Sequence, residues 1–253
     1  MIYTVYRNID FPRVMGKQRD SDGRSVELLW AGRGQPARGP KPAFSLDDIA
    51  GAGIAVADAE GIGALTMARV AARLGVTPMA LYRYVPGKNE LLDLMTDAAL
   101  GPPPPPGTGD WRAETARWAQ ASLARFRTRP WLIETAQRRV PIGPHWLGWL
   151  DAGLAALAGS GLPDTELVPA VMLVDGHVRA TAQLAVGAAT TARWAADFAR
   201  ALEAALGDPR FPALTRVAAA GGFAATGSDD AFAFGLQRVL DGIAARASQA
   251  AAP

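Results

Sequence analysis

The chain has 253 residues, 49% of them apolar and 20% charged, which is the composition of a folded globular protein large enough to bury a sizeable core. Its net charge of +2 excludes a polycation, and the absence of cysteine excludes disulfides, thiolate metal sites and cysteine nucleophiles. His145 and His177 are the only histidines and no HExxH spacing occurs, so neither a metal nor a cofactor is expected. No uncharged apolar run reaches the roughly 18 residues of a membrane span. The opening MIYTVYRNIDFPR is broken by Arg7 and Asp10 and does not read as a signal peptide, so a cytoplasmic protein without a membrane partner is expected.

Residues 1–43 read as a flexible basic extension. GRGQPARGPKP, Gly32 to Pro42, is too rich in Gly and Pro for a regular element, and all its charges are positive. The plain reading is a solvated tail. The alternative is an arm whose Arg33 and Arg38 lie in the minor groove of DNA, which requires that a DNA-binding domain follow. Ser45 is a good N-cap, with Asp47 and Asp48 in the first turn, and helical spacing runs from there to Gly61. Helices are predicted again from Thr66 to Gly75, from Thr77 to Val85 and from Asn89 to Leu100.

GPPPPPGTG, Gly101 to Gly109, cannot continue a helix and marks the clearest boundary. Further helices are predicted over 111–127, 130–138, 144–158, 163–189, 192–206, 212–219 and 229–248, several opened by Pro and closed by Gly. Nothing shows sustained β alternation. The expected fold is all-α, with a helix-turn-helix domain over 44–100, a linker over 101–110 and a larger helical domain over 111–253.

From Thr66 to Lys88 the charged residues are Arg69, Arg73, Arg83 and Lys88, with no acid among them. Gly75 lies where a tight turn needs a left-handed residue, and Val70, Leu74, Val76 and Leu81 can close a helix-turn-helix. The second helix of that motif enters the major groove of DNA, which makes Thr77, Met79, Ala80, Tyr82, Arg83 and Tyr84 candidate contacts. Tyrosine hydroxyls donate to phosphate and arginine pairs with guanine or phosphate. Lys88 adds a charge at the next helix start. The bland alternative is a surface hairpin with stray aromatics. Spacing alone leaves open which of Tyr82 and Tyr84 faces outward, since two residues on a helix point about 160–200° apart.

LTMARVAARLGVTPMALYRYVPGKNELLDLM, Leu65 to Met95, resembles the DNA-binding domain of the TetR family of bacterial one-component repressors. The resemblance implies operator contacts by Thr66 and Arg69, then Thr77, Pro78, Met79, Tyr82 and Tyr84, then Lys88. Ala68 replaces what can be a base-reading arginine in the family. A weaker resemblance covers the C-terminal half, and implies a homodimer through the helices at 163–189 and 229–248 and a small-molecule pocket in the larger domain. The stripe Phe232, Gly235, Leu236, Val239, Gly242 and Ile243 is the candidate dimer face, with ordinary core as the alternative. Pocket candidates are Trp118, Phe126, Trp131, Trp146, Trp149, Met172, Gln183, Trp194 and Phe198, with Asp175 and His177 as polar anchors. For Asp175 and His177 the alternative is a satisfied core histidine and an intersubunit ion pair.

Two enzyme-like signals fail. GAGIAVADAEGIG lacks the third glycine of a dinucleotide loop at Val56 and follows a helix cap, and GSG at 159–161 lacks nucleophile-elbow spacing. The expected function is a homodimeric, non-enzymatic regulator of transcription, a repressor released from double-stranded operator DNA by a small, largely apolar effector. An all-α enzyme and a ligand-independent DNA-binding protein are the alternatives.

Overall fold

A computed structural model describes residues 19–30, 44–138, 140–186, 188–223 and 228–250. Every regular element among them is helical. The chain divides into two compact units, one holding the residues up to Pro105 together with Trp131–Ala152, the other holding Pro106–Pro130 and Gly153 onward. The first break falls in the proline segment, but Trp131–Ala152 belongs with the first unit rather than following the linear order of the chain.

In the first unit, α1 (Arg19–Trp30), α2 (Leu46–Glu60), α3 (Met67–Arg73), α4 (Pro78–Tyr82) and α5 (Lys88–Leu100) precede the proline segment, and α7 (Trp131–Arg138) and the start of α8 (Pro144–Leu157) follow it. The capping residues read from the sequence do their expected work. Ser45 and Asp48 form a reciprocal capping box, with Asp48 N donating to Ser45 Oγ at 3.1 Å and Ser45 N donating to Asp48 Oδ2 at 2.8 Å. α5 is the hub: α1 and α2 both pack on it, as does α7. Ile49, Val70, Leu81, Val85, Leu91 and Met95 are fully buried there. Gly53 on α2 faces Leu91 and Met95, so the two helices approach closely.

The helix α1 lies inside the segment expected to be weakly structured. Its sequence RDSDGRSVELLW is charged and carries Gly23, and twelve residues of that kind hold a helix poorly alone. Packing supplies the difference, because Ser25 and Leu29 are buried and Trp30 Nε1 donates to Ile142 O at 3.0 Å.

The second unit contains α6 (Trp111–Thr128), the end of α8, α9 (Asp164–Val186), α10 (Ala188–Ala205), α11 (Pro212–Ala219) and α12 (Ser228–Ala250). α9 packs against both α6 and α12. Its core includes Trp118, Leu123 and Phe126 from α6, Val171, Val174 and Val178 from α9, and Leu236, Leu240 and Ile243 from α12. Gly153 lets α8 pass close to Trp118 and Val171, each 3.1 Å from where a Cβ would stand. Among the described residues, no helix is long and apolar enough to cross a membrane and no cluster of His, Asp and Glu could hold a metal ion.

Candidate DNA-binding interface

The turn between α3 and α4 is specified residue by residue. Gly75 takes φ +71, and the amides of Gly75 and Val76 donate back to Ala72 O at 3.1 Å and Ala71 O at 2.9 Å. These paired bonds are the glycine-terminated helix ending that satisfies the last carbonyls of α3. Thr77 then caps α4, its Oγ1 accepting from Ala80 N at 3.3 Å, and Pro78 fills the first helical position, where no amide donor is required. Thr66 caps α3 in the same way through Arg69 N at 3.2 Å. Each capping threonine accepts one bond and keeps its hydroxyl proton to donate outward.

Burial separates the inner from the outer residues of α4. Leu81 and Val85 are core, whereas Thr77, Pro78, Met79, Tyr82 and Arg83 are exposed. The two tyrosines part company: Tyr82 is 46% exposed, while Tyr84 is half-buried with its ring edge-on to Phe44, centroids 6.3 Å apart at 74°. Lys88 is exposed at the first residue of α5. On α3, Arg69 and Arg73 are both exposed, one turn apart. Arg73 is absent from the residues singled out in the sequence, although the acid-free run contains it.

The folded chain brings two acids toward this basic run. Glu60, at the end of α2, pairs with the Arg69 guanidinium, so Arg69 reaches DNA only by exchanging one partner for another. Both groups are about half exposed, so an exchange of this kind costs only about 0–1 kcal/mol. Glu90 is buried and folds back over Gly87 at its own helix start, with Arg24 of α1 3.9 Å away. Arg33 and Arg38, the candidate minor-groove arm, lie outside the described residues.

The eleven effector candidates are divided between the units. Trp131, Trp146 and Trp149 belong to the first, where they fasten the segment after the proline stretch. Trp131 Nε1 donates to Asp58 Oδ1 at 2.7 Å and Trp149 Nε1 to Gly101 O at 3.0 Å, while the Trp146 amide donates to Asp97 Oδ1 at 2.9 Å. In the second unit Trp118 and Phe126 are buried on α6. Asp175 pairs with Arg179 one turn along α9, at 2.6 Å, and the Arg179 guanidinium lies 6.0 Å from the Phe126 ring centre. His177 bonds Phe232 O through Nε2 at 2.9 Å and stacks on the Phe232 ring. His177 is half-buried with a bonded partner in its own chain, and the ion pair of Asp175 is within its own helix. Met172, Gln183 and Phe198 are exposed; the side chain of Trp194 is outside the described set.

The candidate dimer stripe divides between core and surface: Gly235 and Val239 are half-buried and Gly242 is exposed. Phe232, Leu236 and Ile243 are core residues of their own chain. The largest apolar groups left exposed on these two helices are Met172, Leu173 and Leu184 on α9 and Phe234 on α12. A chain satisfies its own core first, and a sequence stripe cannot distinguish the inner face of a two-faced helix from the outer one.

Two family models match the chain. Residues 43–95 match bacterial regulatory proteins of the tetR family, and residues 103–247 match the tetracyclin repressor-like C-terminal domain. The HTH-type transcriptional repressor DrrR1 of Streptomyces coeruleorubidus is 42% identical over 232 residues, covering 87% of this chain and 84% of that protein. Apo ActR from Streptomyces coelicolor superposes with a TM-score of 0.71 at 28% identity, covering 84% of this chain and 100% of that one. ActR in complex with actinorhodin gives 0.72 at 29% identity, with the same coverage. The resemblance of Leu65–Met95 thus extends over most of the sequence, and the chain belongs to the TetR family, a DNA-binding regulator of transcription and not an enzyme.

Proposed function

We propose that the chain is a homodimeric repressor whose residues 44–100 grip double-stranded operator DNA and whose residues 111–253 bind a small, largely apolar effector that releases it. The observation that carries the DNA side is the outward surface of α4 and its flanks: Thr77, Pro78, Met79, Tyr82 and Arg83 exposed, Lys88 opening the next helix, and Thr66 and Arg69 opening the previous one. Tyr84 supports this surface from behind rather than forming part of it. Dimerisation follows from operator geometry, since two recognition helices must reach half-sites about one helical turn apart. It is supported by the apolar groups exposed on α9 and α12.

The effector side draws support from the aromatic interior of the second unit, Trp118 and Phe126, and from the actinorhodin complex of ActR. An effector acts by binding the DNA-free arrangement more tightly than the DNA-bound one. The test is binding of the full chain to the intergenic DNA beside its own gene across a salt series. Phosphate contacts require a steep loss of affinity with added salt, and a bound effector must lower the affinity further. A flat salt response rejects the DNA reading. Unchanged affinity with every ligand shown to bind rejects the switch.

A further inference from the structure

Base readers in the major groove have recognisable chemistry: Arg or Lys with guanine, Asn or Gln with adenine, and apolar groups with the 5-methyl of thymine. The helix α4 consists of Pro78, Met79, Ala80, Leu81 and Tyr82, and holds none of the charged or amide readers. Leu81 is core and Ala80 is half-buried. Residues advance about 100° along a helix, so Pro78, Tyr82 and Met79 occupy one continuous arc of about 100°. On the same wheel Met79 points away from the side holding Leu81, Tyr84 and Val85. Met79 is 75% exposed and shares this arc with Tyr82, 46% exposed, so the outward face of α4 presents two neighbouring apolar side chains. Arg83, which ends α4 with helical dihedrals, is exposed about 40° beyond Met79 on the same wheel, and Lys88 is exposed at the first residue of α5, where it suits phosphate.

We propose that α4 reads its operator through thymine methyl groups, with Met79 making the apolar contact and the Tyr82 ring packing beside it. The inference rests on the operator-binding reading above and names the base chemistry which that site recognises. A flexible thioether side chain suits this task, because it can follow a methyl group whose position shifts with local groove shape.

The experiment starts with duplexes that the full chain enriches from a randomised pool. Each thymine of an enriched duplex is then replaced singly by deoxyuridine, which removes the methyl and leaves every hydrogen-bonding group in place. Affinity should fall about three- to tenfold at one or more positions in each half-site. Met79→Ala, checked for an unchanged melting temperature, should bind the thymine and deoxyuridine forms equally at that position, with the salt slope of the native chain. An enriched duplex that tolerates deoxyuridine everywhere overturns the proposal, as does a loss that persists undiminished in Met79→Ala. Failure to enrich any duplex overturns instead the operator-binding reading beneath it.

Discussion

Asp97, 3% exposed on α5, acts as the N-cap of a helix to which it does not belong. Position 143, the cap position of α8, is a glycine and has no side chain to accept the first amides. The Asp97 carboxylate accepts them instead, from His145 N at 3.3 Å and Trp146 N at 2.9 Å, and its Oδ2 also meets His145 Nδ1 at 3.2 Å. A negative charge at a helix N-terminus also complements the helix dipole. A Cβ at Gly143 would overlap the same carboxyl group, so the missing side chain and the borrowed one are a matched pair. Asp97→Ala should therefore lower unfolding free energy by about 1–3 kcal/mol in urea titrations, because it strands half-buried donors, and Asp97→Asn by less. Gly143→Ala should cost on the order of 1–3 kcal/mol. Full stability in both Asp97→Ala and Gly143→Ala would remove the cap from the account. Gly75→Ala makes a cleaner case, since a Cβ there meets nothing within 4 Å and only the left-handed backbone objects. Its cost should be about 1–2 kcal/mol.

At the scale of elements, α1 shows how a segment of weak local signal becomes a helix by docking. Leu29→Ala should cost about 2–3 kcal/mol in thermal or urea unfolding, the amount for a leucine buried at the edge of a core. A variant as stable as the parent would mean that α1 contributes nothing to the first unit. Charge also holds the element ends. Glu114 lies below the usual carboxylate range because of Arg117, with the amides of Gly107 and Gly109 adding to the effect, and Asp48 lies below it through its bonds to Ser45. Glu166 is lowered by Arg246, which ties α9 to α12 through an Nε–Oε2 contact of 2.8 Å. Carboxyls depressed in the folded state stabilise it fully above their ordinary values, and that contribution is lost as pH falls through the folded values. Melting temperature should therefore be level near neutrality and decline below the ordinary carboxylate range. Glu166→Gln should flatten part of that decline, and a variant whose acid limb matches the parent would clear this pair of any role.

What the sequence discloses at this scale follows range. Ser45, Thr66, Gly75 and Thr77 act on amides within a few residues, so the caps and turn of the helix-turn-helix are legible without a structure. The Asp97 cap of α8 and the Trp131 bond to Asp58 join distant segments, and nothing local announces them. The roles of Tyr82 and Tyr84 became decidable only once the side of the core was known, which Phe44 and Leu81 define.

For the whole molecule, the deciding question is which surface joins two copies. The apolar side chains of α12 fall into two sets: Phe232, Leu236, Leu240 and Ile243 are buried in their own chain, whereas Phe234 stands 69% exposed with the Arg238 guanidinium 5.5 Å from its ring centre. On α9, Leu184 is 78% exposed and Leu173 is 55% exposed. Exposed apolar groups of this size on the two helices that pack together are costly for a monomer and ordinary for an interface core. Leu173→Glu and Phe234→Glu each place a charge in such an interface, the second beside an Arg238 guanidinium that Asp241 already holds, while leaving the chain's own core untouched. Both should convert dimer to monomer in sedimentation velocity at micromolar protein, with circular dichroism unchanged, and both should weaken operator binding at least tenfold, because a monomer reads one half-site. Leu236→Glu, by contrast, should unfold the second unit rather than release an intact monomer. If the two surface variants stay dimeric, the copies meet elsewhere and the outer faces of α9 and α12 need another occupant. If they become monomeric and still bind the operator at parental affinity, paired half-site recognition itself is wrong.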